Sequence, residues 1–403
     1  MIKVGSDFSG VGAFDQALHR LGIAYQTIFA CDMDKYARET YVENYGEPTY
    51  FPTDVYEREI PKESLDIYMT SPPCQAFSMA GKRLGKKDKR GILFFNSHEF
   101  IKENKPRFFI FENVRGLLSD DKGNTFQEWI NLLGGKSING LPILFPQEES
   151  VPYHIYYKVL NSKKVANVPQ NRDRVFIIGI RDDVDNSFTF PKDKPLTKKL
   201  ADVLEEAVDD KYFLSTKLVN TFITRPQAKD YKFTPLVEES ESSPTVLARY
   251  YKCGPTDPYL EVKSATKKGY EIAKEGDSIN ITIPTSETRR GRVGKGVAQT
   301  LDTGCNQATW IADYRNDEGL RIRKDNISPC MTSRRHSETD ISTMPALVGS
   351  KTNVRRLTPR ECFRLMDFPE TFTWKCSDTQ AYRQAGNSIV VGVLCEIIKK
   401  FKL

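Results

Sequence analysis

The chain has 403 residues, of which 39% are hydrophobic and 28% charged, and a net charge of +6. That length allows two domains or one large domain with an insertion, and no apolar run approaches the roughly 20 residues that a membrane-crossing helix needs. Eight scattered cysteines without a Cys-x-x-Cys pair, and four histidines without ligand spacing, argue against a metal site and a disulfide framework and for a reducing compartment.

The opening residues Met1-Ile2-Lys3-Val4 enter a strand pattern directly, with no basic stretch ahead of an apolar segment, so no secretory signal is expected. Strand and helix signals then alternate, which predicts a mixed, mostly parallel α/β sheet with helices on both faces. Ile2 to Ser6 reads as a strand, and Ala13, Phe14, Ala17, Leu18 and Leu21 recur at helical spacing until Gly22. Tyr25 to Ala30 is a second strand, and Asp34 to Tyr45 a helix ended by Gly46. Leu65 to Thr70 and Arg107 to Phe111 are further strands, the latter almost wholly apolar and therefore central. His154 to Leu160 and Arg174 to Ile180 form a pair at the far side of the sheet. Beyond residue 183 the chain becomes rich in Thr, Ser, Pro, Gly and charge, with a helical pattern only around Leu200 to Val208. A loose echo recurs there as Ser243-Pro244-Thr245-Val246, Ala298-Gln299-Thr300-Leu301 and Ser328-Pro329-Cys330-Met331. Helical patterning returns at Pro359 to Met366 and Ser388 to Lys400. The expected architecture is one α/β domain, 1–183 completed by 352–403, interrupted by a smaller irregular or β-rich domain over 184–351.

Three stretches carry chemistry. Phe8-Ser9-Gly10-Val11-Gly12-Ala13 joins the first strand to the first helix, and its glycines permit a tight turn and close approach of backbone to a ligand. Asp32, just after the second strand, is placed to accept hydrogen bonds from ribose hydroxyls, and Asp54 could reach an adenine amino group; both acids also suit ordinary turns. Asp15 stands where the full Gly-x-Gly-x-x-Gly fingerprint has its last glycine, which favours a nucleoside over a pyrophosphate cofactor. Pro72-Pro73-Cys74-Gln75 ends the third strand: the prolines stop it and fix the path of the thiol that follows. Cys74 reads either as a small buried apolar residue or as a nucleophile at the carboxyl end of a parallel strand. Basic clusters at 82–91 and 289–296 are either solvated faces or contacts to a polyanion, and the nearness of the first to Cys74 favours the polyanion.

Phe8-Ser9-Gly10-Val11-Gly12, Pro72-Pro73-Cys74-Gln75-Ala76-Phe77-Ser78, Arg90-Gly91-Ile92-Leu93-Phe94-Phe95, Phe111-Glu112-Asn113-Val114, Gln170-Asn171-Arg172-Asp173-Arg174 and Gly386-Asn387-Ser388 stand in an order that resembles the DNA (cytosine-5)-methyltransferases of bacterial or phage restriction-modification systems. The resemblance covers 1–183 and 352–403 and makes 184–351 a target recognition domain. The chain departs from the family at Ser6-Asp7, where Asp-Leu is usual, at Ala13 for a glycine and at Met33 for an aromatic residue.

The resemblance implies a Rossmann-like fold, S-adenosylmethionine as cofactor, double-stranded DNA as substrate and methyl transfer to carbon 5 of a cytosine flipped out of the duplex. Cys74 would be the nucleophile and Glu112 the acid, with Arg174 and Arg172 on the base's carbonyl oxygen. Cofactor contacts would come from Phe8, Gly10, Val11, Gly12, Asp32, Met33, Asp54, Val55, Pro72, Leu93, Asn387 and Ser388. DNA contacts would come from Gln75, Ser78, Lys82, Arg83, Lys86, Lys87 and Arg90, and in the target domain from Arg289, Arg290, Arg292, Arg334 and Arg335. A monomer without a metal, in the bacterial cytoplasm or nucleoid, is expected, with room for a cognate restriction endonuclease acting separately. Two rivals stand beside this reading. A tRNA cytosine methyltransferase of the same fold would have a much smaller insertion, and an inactive DNA-binding module would have no reason to keep Cys74, Glu112 and Arg174 together.

Overall fold

The computed structural model describes residues 1–73, 92–184, 187–214, 240–253, 257–261 and 354–403, together with Leu236 and short strands between 278 and 344. It divides into two compact units: 1–204 with 239–257 and 359–403, and 205–238 with 258–358.

The first unit opens with β1 (Ile2–Asp7), α1 (Ala13–Arg20), β2 (Tyr25–Cys31), α2 (Lys35–Tyr45) and β3 (Ile67–Thr70). It continues with α3 (Ile92–Asn104), β4 (Phe108–Val114), α4 (Asn124–Leu133), the short β5 (Ser137–Ile138) and β6 (Leu141–Pro142), and β7 (Tyr153–Asn161). After α5 (Ser162–Val165) come β8 (Gln170–Asn171), β9 (Asp173–Arg181) and β10 (Ser243–Pro244). The main sheet has the order β2-β1-β3-β4-β9-β7-β5-β6. Its first four strands are parallel, whereas β9 is antiparallel to both β4 and β7. The ends of α2 are written in the sequence: Asp34 accepts hydrogen bonds from the Tyr36 and Ala37 backbone, and Gly46 closes the helix with a φ of 79°.

On β4, alternate residues serve opposite faces. Phe108 stacks on Phe401 at 4.6 Å, whereas Phe109 meets Tyr153 at 5.1 Å. On the Phe109 side the core runs up to α3 and α4, where Phe94 stacks on Trp129 at 4.1 Å and Phe100 on Tyr68 at 4.2 Å. α3 escapes sequence periodicity because its apolar residues crowd together at Ile92-Leu93-Phe94-Phe95 before recurring at Phe100-Ile101. α4 does carry a one-sided stripe, with Phe126, Trp129, Ile130 and Leu133 all buried.

The second unit, as far as it is described, is β-rich. Its strands are β11 (Tyr259–Glu261), β12 (Ser278–Asn280), β13 (Arg292–Gly294), β14 (Gln307–Thr309), β15 (Asp313–Arg315), β16 (Gly319–Arg323), β17 (Thr343–Met344) and β18 (Val354–Arg356). They form small sheets in the orders β11-β18, β13-β12-β14 and β15-β16-β17. The first unit then resumes with α6 (Pro359–Leu365), α7 (Asp378–Asn387) and α8 (Val391–Ile398).

Two expectations of secondary structure are corrected here, at Leu200 to Val208 and at Asn387-Ser388. The helical pattern at Leu200 to Val208 is a short 3-10 turn over Leu200–Val203, after which Leu204 is extended. Leu200 and Val203 are buried and Arg364 donates to the Val203 and Leu204 carbonyls, which carries the first unit past residue 183 to Leu204. The stretch 239–257 also belongs to that unit: β10 pairs with β8, and Val246 and Tyr250 are buried. It contains the first of the three echoed segments, while the other two lie outside the described residues. Finally, Asn387 and Ser388 do not open the last helix; Asn387 ends α7 and Ser388 follows as its extended capping residue. No described helix is long and apolar enough to cross a membrane.

Candidate active site

The carboxyl ends of β1 and β2 build the first half of the site. After Asp7 the chain takes positive φ at Phe8 (56°), Gly10 (54°) and Gly12 (81°). A Cβ on Gly10 would meet no atom within 4 Å, so the loop presents open backbone there. On Gly12 it would come within 2.3 Å of the Tyr45 ring, so glycine is required by packing as well as by φ. Asp32 fastens this loop: one carboxylate oxygen accepts from Gly10 N at 2.8 Å and the other from Asp34 N at 2.8 Å. A carboxylate can accept about four hydrogen bonds, so each oxygen retains capacity for a ligand hydroxyl. Burial raises the Asp32 carboxyl above its usual range, opposed by those two backbone donors. Val11 and Val55 are buried, Asp54 is exposed and accepts from Tyr56 N at 2.9 Å, and Met33 is 86% exposed.

The second half stands where β3 and β4 end and β9 begins. Glu112 is 7% exposed, and its Oε1 lies 3.0 Å from Arg174 Nε. The antiparallel register pairs Val114 with Arg174 and Glu112 with Phe176, which sets the two charged residues on neighbouring strands two positions apart. Burial pushes the Glu112 carboxyl above the usual glutamate range, while the Arg174 and Arg172 cations pull the other way. Asn113, also buried, donates from Nδ2 to the Pro72 carbonyl at 3.1 Å. Thr70 and Ser97 share a buried hydroxyl–hydroxyl bond of 2.9 Å, which ties the end of β3 to α3. The Pro72-Pro73 corner is therefore fastened to the strand that carries Glu112. Leu93 packs against the aromatic core beside it.

Arg172 engages backbone carbonyls. It is 3% exposed, and its guanidinium donates to the carbonyls of Val246 (3.2 Å), Gly386 (3.1 Å) and Ser388 (2.8 Å). Burial pushes it down to about 9, which leaves it a cation at neutral pH. Both of its terminal nitrogens are thus engaged with backbone, whereas the Arg174 side chain is partly open to solvent. Gly386 permits the clamp, because a Cβ there would lie 2.2 Å from Ala248 N. Asn387 is exposed and Ser388 buried.

Cys74, Gln75, Ser78, Lys82, Arg83, Lys86, Lys87 and Arg90 lie outside the described residues, as do Arg289, Arg290, Arg334 and Arg335; Arg292 opens β13. Sequence reasoning gave no separate role to Asn113 or to the 246–248 segment. Asn113 stood in the quoted Phe111–Val114 block, but nothing local reveals that its amide reaches back to Pro72.

The model of C-5 cytosine-specific DNA methylases matches residues 2–403. The orphan methyltransferase of Bacillus phage SPR is 30% identical over 99% of this chain and 97% of its own length. The type II methyltransferase M.HpaII of Haemophilus parainfluenzae is 29% identical over 98% of this chain and 87% of its own. Among solved structures, a DNMT2 variant from Spodoptera frugiperda aligns with a TM-score of 0.61 over 99% of both chains at 18% identity, a likeness of fold. Across its whole length, the chain belongs to the C-5 cytosine-specific DNA methylase family.

Proposed function

We propose the following division of labour for the family's reaction, methylation of cytosine at carbon 5 in DNA. The substrate is duplex DNA, and the target base is extruded to bring carbon 6 within reach of a thiol. Cys74 adds through its sulfur to carbon 6, which frees the 5,6 double-bond pair to make carbon 5 nucleophilic. Glu112, whose carboxyl burial pushes above the usual glutamate range, donates a proton to ring nitrogen 3 and so offsets the charge that addition would build there. Arg174, held by Glu112, donates to the base's carbonyl oxygen. Once carbon 5 carries the methyl group, its proton passes to solvent, the thiolate leaves as the 5,6 double bond re-forms, and ring nitrogen 3 returns its proton to Glu112.

The cofactor fits the first half of the site. The open backbone at Gly10 and the spare acceptor capacity of Asp32 suit a ribose diol, and Phe8, Val55 and the exposed Asp54 suit an adenine. Met33, Val11, Gly12, Pro72, Leu93, Asn387 and Ser388 complete the set we assign. When bound, S-adenosylmethionine supplies an electrophilic methyl group.

The observation that carries this reading is the Asn113–Pro72 hydrogen bond, which fixes the residues just before Cys74 against the strand that bears Glu112. The test is expression of the protein followed by mapping of 5-methylcytosine in host DNA, alongside Cys74→Ala. The variant should bind duplex DNA and leave no methyl mark; residual methylation in it would refute the assigned nucleophile.

A further inference from the structure

Beneath the cofactor loop lies a buried ion pair that the reaction does not use. Asp7 is the last residue of β1, immediately before Phe8, and Arg58 lies in the connection between α2 and β3, three residues beyond Val55. The two side chains are 1% and 2% exposed, and Arg58 Nε is 2.9 Å from Asp7 Oδ1. The other Asp7 oxygen accepts from the Tyr68 hydroxyl at 2.6 Å. Phe100 holds both partners in place, with the Tyr68 ring stacked on it at 4.2 Å and the Arg58 guanidinium over its face at 4.5 Å.

A buried ion pair contributes little net stability, because desolvation offsets attraction; two apolar side chains of similar size would hold the same space as firmly. What the pair adds is direction, since hydrogen bonds fix a register that apolar contact leaves loose. The connection between Tyr45 and Ile67 has no helix or strand. It runs beside β2 through the Tyr50 carbonyl to Ala30 N (3.1 Å) and the Pro52 carbonyl to Asp32 N (3.3 Å). It then turns away with Asp54 exposed and Val55 buried, until Arg58 reaches into the core. Asp54 and Val55 thus sit between two anchors, and the second is the pair with Asp7.

We infer that Asp7, Arg58 and Tyr68 form a positioning device for the cofactor's adenine end, locking the Asp54-Val55 turn to the strand that carries the Phe8–Gly12 loop. The inference rests on the cofactor site assigned above. The test measures the Kd of S-adenosylhomocysteine by calorimetry, and KM and kcat for S-adenosylmethionine, in wild type, Asp7→Leu, Arg58→Leu, the double variant and Tyr68→Phe. Circular dichroism verifies folding at the assay temperature. Each single Leu variant should raise cofactor Kd and KM by about tenfold or more with kcat within about twofold, and Tyr68→Phe by about threefold. The double variant removes the unpaired charge, so its melting temperature should return to that of wild type while its cofactor Kd stays raised. Recovery of both stability and affinity in the double variant would overturn the inference and leave the pair a packing element. If a single variant fails to fold, the double variant and Tyr68→Phe still decide the question. Failure of wild type to bind S-adenosylhomocysteine would instead sink the cofactor site on which the inference rests.

Discussion

Replacing Arg172 by methionine keeps the apolar stem and removes the guanidinium that holds the Val246, Gly386 and Ser388 carbonyls. Each buried carbonyl left without its donor costs about 1–3 kcal/mol, or roughly 3–9 kcal/mol for three. Relief of the arginine's own burial returns several kcal/mol, so a net loss of about 3–5 kcal/mol is expected. For a protein of this size that corresponds to a fall in Tm of about 4–6 °C. Arg172→Lys should recover only a minor part of it, because one ammonium on a longer stem cannot fork to carbonyls contributed by separate segments. Thermal unfolding followed by circular dichroism reads the shift. Activity, measured well below the variant's Tm, separates a clamp from a base contact: a clamp leaves kcat within about tenfold, whereas loss of a transition-state donor removes about 10²–10³-fold. An unchanged Tm together with a large fall in kcat would refute the clamp and restore Arg172 to the base.

Glu112→Gln should lower kcat by about 10²-fold or more, because the amide cannot give a proton to ring nitrogen 3. Burial raises the Glu112 pKa, so the proton-donating form is present at low pH and lost as pH rises through the folded-state value; wild-type kcat should fall on the alkaline side of that value, while the residual rate of the Gln variant stays flat there. The same sign applies to stability. A raised carboxyl stabilises the fold fully below its unfolded pKa and loses that contribution as pH rises through the folded value, so Glu112→Gln should match or exceed wild-type Tm at the alkaline end. A Gln variant less stable than wild type at high pH would contradict it. Gly12→Ala forces a side chain into φ 81° and against the Tyr45 ring. The backbone alone costs about 1–2 kcal/mol, and loosened cofactor binding should accompany the loss; an unchanged Tm would show that the loop relaxes freely.

Much of the first unit is written locally. The period-3.6 stripe of α1, the capping of α2 by Asp34 and Gly46, and the alternate-face apolar run of β4 each follow from residues close in sequence. Cys74, Glu112 and the Phe8–Gly12 loop stand out as candidates because their motifs combine residue types that packing alone does not require. The sequence did not separate Arg172 from Arg174. They stand two positions apart in one motif, yet Arg174 reaches Glu112 on the neighbouring β4 while Arg172 turns toward three carbonyls contributed by residues 246, 386 and 388. Nor could it assign the stretch 239–257 to the first unit, since that depends on β10 finding β8 about 70 residues away in a register set by both. The pairing of Asp7 with Arg58 has the same character. An acid at the end of β1 reads as a turn residue until folding buries it, and only a cation brought to it through space makes that burial tolerable. Sequence determined which elements form and which candidate residues they carry; tertiary structure decided which of two similar charged groups pairs with Glu112 and which clamps backbone carbonyls, because burial and pairing are properties of the assembled neighbourhood.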